Sequence, residues 1–174
     1  MPELQRLRLD HAPALLAFEQ ENRAYFAASV PDRGDDYFAH FDARHNDLLT
    51  EQAAGLHFFH VLVGGEGEIV GRVNLIDVAD GSAELGYRIA QKATHQGLAT
   101  RAVREVCALA TADYALTRLR AVTTLDNIGS QTVLTRTGFV PTGETLVGGA
   151  REIHYTLGLV RRDRETGTAV ADHL

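Results

Sequence analysis

One cysteine, Cys107, leaves the chain no partner for an intramolecular disulfide, and nothing in it argues for an oxidising compartment. Basic charge is also scarce. Seventeen Lys and Arg stand against 23 Asp and Glu, a formal charge of −6, which disfavours a general nucleic-acid binder because phosphate neutralisation needs a basic face. Long apolar runs are missing too. No stretch approaches the roughly 20 apolar residues of a membrane span, and Met1 to Phe18 is interrupted by Glu3, Arg6, Arg8 and Asp10, unlike a signal peptide. The expectation is a cytoplasmic protein with no membrane or nucleic-acid partner. What is present is a 174-residue chain with 45% hydrophobic content, enough for one substantial core.

Periodicity divides the chain into alternating elements. Leu4 to Leu9 reads as a strand, and Asp10 is placed to cap a helix over 12–28 that Pro31 and Gly34 end. A second helix is expected from Asp35 to Ala54, with Phe38, Phe41, His45, Leu48 and Leu49 on one face. Strands follow at 56–63, 69–78 and 83–89, separated by glycine-containing turns. A helix over 97–114 carries Ala99, Val103, Val106 and Ala110 at helical spacing. Then come a strand at 119–125, a helix at 128–137 stopped by Gly138, and a hairpin of strands 141–146 and 152–159 joined by Gly148-Gly149. This order predicts an α/β (α+β) fold: a mixed sheet of about seven strands with helices on both faces. Residues 1–160 are expected to form one domain. The charged segment 161–174 lacks an apolar period and is expected to be a mobile tail.

Two segments carry chemistry. In the first, the strand Glu84-Leu85-Gly86-Tyr87-Arg88-Ile89 leads through a loop to His95-Gln96-Gly97-Leu98-Ala99-Thr100 at the head of a helix. Gly97 and the small Ala99 permit close approach to the backbone, and the free N–H groups of a helix's first turn suit a pyrophosphate. Taken alone, the segment reads equally well as an ordinary strand-loop-helix connection. In the second, Asp126-Asn127-Ile128-Gly129-Ser130 opens a helix directly after a strand, and Gly138-Phe139 closes it. Asn127 alone is a plain N-cap and Ser130 a plain helix residue. Together, in this order and about thirty residues apart, the segments are far more specific than a lone glycine motif.

The pair resembles the GNAT family of N-acetyltransferases, and within it the RimJ/RimL-like branch that modifies ribosomal-protein N-termini. The resemblance spans about Leu4 to Leu159. It rests on Glu-Leu-Gly-Tyr at 84–87, Gly-Leu-Ala-Thr at 97–100, Asn127 and Gly138-Phe139. The family's signature of Gln or Arg, two residues, Gly, one residue, and Gly or Ala falls here on Thr94 to Ala99. Thr94 departs from it at the first position, where Lys92 or Arg101 is the nearest substitute cation.

The resemblance implies acetyl-CoA as cosubstrate and a mostly antiparallel sheet splayed to admit it. It implies that Tyr87, Arg88 and Ile89 hold the pantetheine arm through their backbone, that His95, Gln96, Gly97, Leu98, Ala99 and Thr100 wrap the pyrophosphate, and that Asn127 contacts the thiol end. The acid that many relatives carry as Tyr, seven positions after the Asn, is here Leu134. Ser130 matches the serine of the RimL-like branch and is the candidate acid. Val122 stands where some N-terminal acetyltransferases have a glutamate base, so Glu84 is the candidate base, with an ion pair to Arg88 as the competing account.

An α-amine of pKa near ~8 is neutral in about one molecule in ten at pH 7, and lysine near ~10.4 in about one in 2,500. A site without a strong base therefore suits an α-amine. Three functions follow: N-terminal protein acetylation, acetylation of a small amine such as an amino acid, polyamine or antibiotic, and a non-catalytic acetyl-CoA-binding module. A homodimer stays open as an assembly. His57 and His60, three apart on a strand, face opposite ways and predict no metal site.

Overall fold

A computed structural model describes residues 1–160. The segment 161–174, for which a mobile tail is expected, lies outside the described residues. Seven strands form one sheet: β1 (Glu3–Arg6), β2 (Phe58–Val63), β3 (Ile69–Ala79), β4 (Ser82–Ile89), β5 (Arg118–Thr124), β6 (Val140–Val147) and β7 (Ala150–Gly158). Their order is β1-β2-β3-β4-β5-β7-β6, antiparallel throughout except for β4 beside β5. That one parallel pair exists because a helix, α5 (Leu98–Ala112), carries the chain from the end of β4 back to the start of β5.

The β4–β5 ladder is short. It covers only Ser82–Arg118, Ala83–Leu119 and Glu84–Arg120, after which β5 turns to pair with β7 along its whole length. From Leu85 to Ile89 the β5-facing edge of β4 has no partner strand, and this wedge is the splay that the sequence resemblance implied.

Alternation sorts the side chains. Along β5, Leu119, Ala121 and Thr123 are buried under α5 and α6 (Ile128–Arg136), whereas Arg118, Arg120 and Val122 are exposed. On α5 the buried stripe is Leu98, Ala102, Val103, Val106 and Ala110, so Ala99, expected with the core, is only half-buried. Burying Val103 and Val106 in full is worth roughly 1.5–3 kcal/mol each in removed apolar surface.

Both N-terminal helices differ from their sequence-based bounds. The expected single helix at 12–28 is two, α1 (Ala12–Glu21) and α2 (Arg23–Ala27), broken at Asn22. The buried Asn22 amide donates to Phe18 O (2.9 Å) and accepts from Gln91 N–H (3.0 Å), so it tethers the loop after β4 instead of continuing the helix. The expected helix at 35–54 is likewise α3 (Asp35–Ala39) and α4 (Phe41–Ala53), separated at His40, whose φ of −115° and ψ of 27° leave the helical region. The break turns Phe41 inward against Tyr37 and His45. Asp10 does not cap α1. It lies in a 3-10 turn at Leu9–His11 and pairs with Arg8 at the surface, while His11 Nδ1 accepts from Arg8 N–H.

His60 sits at the centre of the β2–β3 layer, fully buried. Its Nδ1–H donates to Val73 O (3.0 Å) and its Nε2 accepts from the Tyr114 hydroxyl (2.6 Å), which fixes the neutral ring. Burial, reinforced by the nearby Arg6 cation, pushes its pKa down to about 4, against a weaker opposing pull from the Val73 carbonyl. Because the folded value lies below the unfolded one of about 6.5, the unfolded chain takes up the proton first as pH falls. Stability is therefore full above pH 6.5 and declines from there toward pH 4, by about 3 kcal/mol from this group. Urea titrations at pH 7.5 and 4.5 should show that decline in the native protein and a shallower one in His60→Phe; equal slopes would remove His60 from the account.

Candidate active site

The chain crosses from β4 into α5 through strained backbone. His95 has φ 61° and Gly97 φ 74°, ψ 8°, so Gly97 caps the helix in the left-handed region that glycine reaches without steric cost. No side chain caps this end. The first intrahelical bond is Arg101 N–H to Gly97 O (3.1 Å), so the N–H groups of Leu98, Ala99 and Thr100 point out of the helix head without an intrahelical acceptor.

These donors border a cavity of about 450 Å³ set in the β4–β5 wedge. Its walls include Tyr87, Arg88, Ile89, His95, Gly97, Leu98, Ala99, Thr100, Asn127 and Ser130. Of the residues singled out from sequence for the cofactor, only Gln96 is absent from the lining. Its side-chain amide reaches back toward Lys92 O (3.4 Å). Of the substitutes for the missing long donor at Thr94, Arg101 is committed elsewhere, holding Pro2 O and Met1 Sδ. Two arginines line the cavity: Arg88, whose guanidinium is engaged by Glu19, and Arg136. The latter was missed in the sequence, though Gly129, Thr132, Val133 and Arg136 recur at helical spacing and all line the cavity.

Asn127 is a helix cap, its Oδ1 accepting Ser130 N–H at 3.1 Å. This bond positions Ser130 in the first turn of α6 with its hydroxyl outside the helix's own bonding. Beside that hydroxyl lies the phenol of Tyr87. Burial pushes the Tyr87 phenol above its ordinary value and the Ser130 neighbour pulls it partly back, so it keeps its proton at neutral pH. Sequence reasoning gave Tyr87 a backbone role only. The meeting of Tyr87 with Ser130 depends on how α6 packs on the sheet, and no spacing signals it.

A second cavity, also of about 450 Å³, opens on the other side of this pair. It shares Ser29, Val30, Tyr87, Asn127 and Ser130 with the first, so the two adjoin along these residues, Tyr87 and Ser130 among them. Two carboxylates line it: Glu84, the expected base, and Glu152 of β7, which sequence reasoning missed. Glu84 makes no ion pair with Arg88. The Arg88 guanidinium instead lies 3.5 Å from Glu19 of α1 and over the ring of Phe26.

Glu19 anchors this region. Its carboxylate, 1% exposed, receives Arg33 through two bonds of 3.0 Å, Arg72 at 2.9 Å and Arg88 at 3.5 Å. Burial works to raise its pKa, but Arg72 and Arg33 outweigh that and hold it below the usual carboxylate range. Through Arg33 it pins the loop at 28–34 that supplies Ser29, Val30 and Pro31 to the second cavity.

The acetyltransferase (GNAT) domain model matches residues 3–140. The chain is 27% identical over 171 residues to the probable N-acetyltransferase YjcK of Bacillus subtilis (strain 168), covering 91% of this chain and 93% of the relative. Among solved structures, the ribosomal-protein-S5-alanine acetyltransferase of Vibrio fischeri superposes with a TM-score of 0.86 at 22% identity, over 92% of this chain and 94% of that one. Mycobacterium smegmatis RimJ in complex with CoA-disulfide gives 0.80 at 21% identity, over 98% and 88%.

Proposed function

We propose, from the premise that this chain belongs to the acetyltransferase (GNAT) family and is an acetyl-CoA-dependent N-acetyltransferase, that its acceptor is the α-amine of a polypeptide. The observation carrying this reading is the shape of the second cavity. It runs along β4 and β5 from Tyr87 and Ser130 to Glu84 and Val122, where it continues into a further hollow on the same sheet, giving room for an extended acceptor, and two carboxylates, Glu84 and Glu152, line it. The resemblance in fold to an enzyme that acetylates ribosomal protein S5 points the same way.

The N–H groups of Leu98, Ala99 and Thr100, without intrahelical acceptors, fit a diphosphate, with the helix dipole behind them and Arg136 supplying positive charge. The unpaired edge of Tyr87, Arg88 and Ile89 fits the amides of a pantetheine arm, as an added strand would. When bound, acetyl-CoA supplies a thioester already activated for attack by an amine. Around it the chain handles protons. Glu84, with Glu152 beside the same cavity, accepts the proton of the entering ammonium, directly or through water. Ser130 Oγ–H is the proton donor at the sulfur end of the wedge, and the Tyr87 phenol replenishes it. Asn127 holds Ser130 in place through its backbone.

Replacing Ser130 with Ala should lower kcat by about 10²-fold, within the span general acid catalysis contributes, and leave CoA affinity nearly unchanged. Tyr87→Phe should do the same, and the double variant should lose little more than either single one, because the two hydroxyls serve one proton path. Unchanged turnover in both single variants would take the pair out of the mechanism. The acceptor itself is tested by a panel of short peptides with free α-amines against polyamines, amino acids and lysine side chains, read by release of the CoA thiol. Turnover confined to the small amines would defeat the polypeptide reading.

A further inference from the structure

The acceptor cavity continues past Glu84. It shares Glu84, Ala121 and Val122 with a larger hollow of about 870 Å³ whose floor is the open face of β5 and β7. That floor carries Arg118, Arg120 and Val122 from β5 and His154 and Thr156 from β7. Among the described residues, neither Arg118 nor Arg120 has a carboxylate within ion-pair distance, although Glu84 and Asp80 line the same hollow. Arg118 Nε instead donates to Thr156 Oγ1 (3.1 Å) and Arg120 Nη1 to Ser82 Oγ (2.7 Å), so both guanidiniums are held down on the sheet with donors to spare.

The groove is thus polarised in a protein of net charge −6. Glu152 lies toward the end nearest Ser130, Glu84 and Arg120 stand side by side on adjacent strands, and Arg118 lies beyond them. Register gives the scale. Arg120 stands level with Glu84 and Arg118 level with Ser82. From Tyr87 to Glu84 is three strand residues, about 10 Å, and Ser82 lies about 7 Å further. An extended peptide advances at the same rise per residue. With its α-amine at the Tyr87–Ser130 junction, its third to fifth side chains reach Arg120 and the next pair reaches Arg118.

Resting on the N-terminal acetylation reading above, we propose that the acceptor is a polypeptide N-terminus with acidic side chains from about its third residue onward, which Arg120 and Arg118 select. A carboxylate on a guanidinium is the pairing this chemistry favours, bidentate where geometry allows. The same two cations repel a polyamine whose far end is positive, which separates this groove from one built for polycations.

The experiment uses the full chain and two peptides with identical first two residues, one bearing Asp and Glu at positions 3–6 and the other Lys. The native enzyme should show kcat/KM at least about tenfold higher for the acidic peptide, the difference shrinking as salt rises. In Arg118→Glu/Arg120→Glu the preference should reverse. Its CoA affinity should be unchanged, since neither arginine lines the cofactor cavity. Acetylation of both peptides at equal rates by the native enzyme overturns the charge selection and leaves N-terminal acetylation standing. No acetylation of either peptide, with turnover of small amines intact, overturns the N-terminal reading and this proposal together.

Discussion

Gly97→Val is expected to raise the dissociation constant for CoA by at least about 100-fold, with the fold intact. In the protein alone a Cβ at Gly97 meets nothing within 4 Å, so no packing clash opposes the new side chain. Two other effects do. The φ of +74° puts a β-branched residue in a region costing it on the order of 1–2 kcal/mol, which appears as a modest loss of stability. The larger effect falls on binding, because Gly97 lines the cofactor cavity at the mouth of the free N–H groups, and a valine there holds a diphosphate away from them. Losing two charge-assisted hydrogen bonds at roughly 1.5 kcal/mol each corresponds to a factor of 100 or more. Calorimetry with CoA, paired with a thermal melt to confirm folding, measures both. Native affinity in a folded Gly97→Val protein would falsify the assignment of the diphosphate to this helix head.

Glu19→Ala is expected to cost about 3–5 kcal/mol of stability, because it strands three guanidiniums around a vacated centre. Arg33 and Arg88 reach solvent in part, but Arg72 is only 4% exposed and its Nε already has no hydrogen-bond partner. At roughly 2–4 °C per kcal/mol for a chain of this size, the melting temperature falls by about 6–20 °C. Glu19→Ala/Arg72→Leu should recover part of the loss, since it also removes the charge that cannot rehydrate. If Glu19→Ala were as stable as the native protein, the cluster would not hold α1 to the sheet. The depressed Glu19 carboxyl also fixes a direction with pH. Its contribution is complete above the ordinary carboxylate range and is lost as pH falls through its lowered folded value, adding to the acid-side decline from His60.

Both predictions concern residues of different legibility. Gly97 was readable because a glycine followed by a small residue at the head of an apolar helical stripe permits close approach to free backbone N–H groups, a property of a few neighbouring residues; its left-handed φ was not. Glu19 was not. Its spacing, four residues after Leu15, puts it on the buried side of α1 and Glu21 on the exposed one, but nothing nearby names the cations that meet it there. Only the docking of α1 over β3 and β4 turns it toward Arg72 and Arg88. The breaks at Asn22 and His40 escaped for the same reason. Local propensity continues both helices, and the bonds that interrupt the first come from Gln91, 69 residues away.

The sequence by itself determined the strands, the long helix α5 and most of the residues that line the cavity at its head. Those features rest on backbone donors, a glycine followed by a small residue and alternating apolar residues, all set within short contiguous segments. Tertiary structure alone decided the rest: that Tyr87 meets Ser130, that Glu152 joins Glu84, that Arg136 lines the cavity at the head of α5, and that Arg118 and Arg120 share a hollow over β5 and β7. Side chains from distant elements acquire a shared chemistry only when packing fixes their distance and burial, and neither quantity is written in the spacing of residues along a chain.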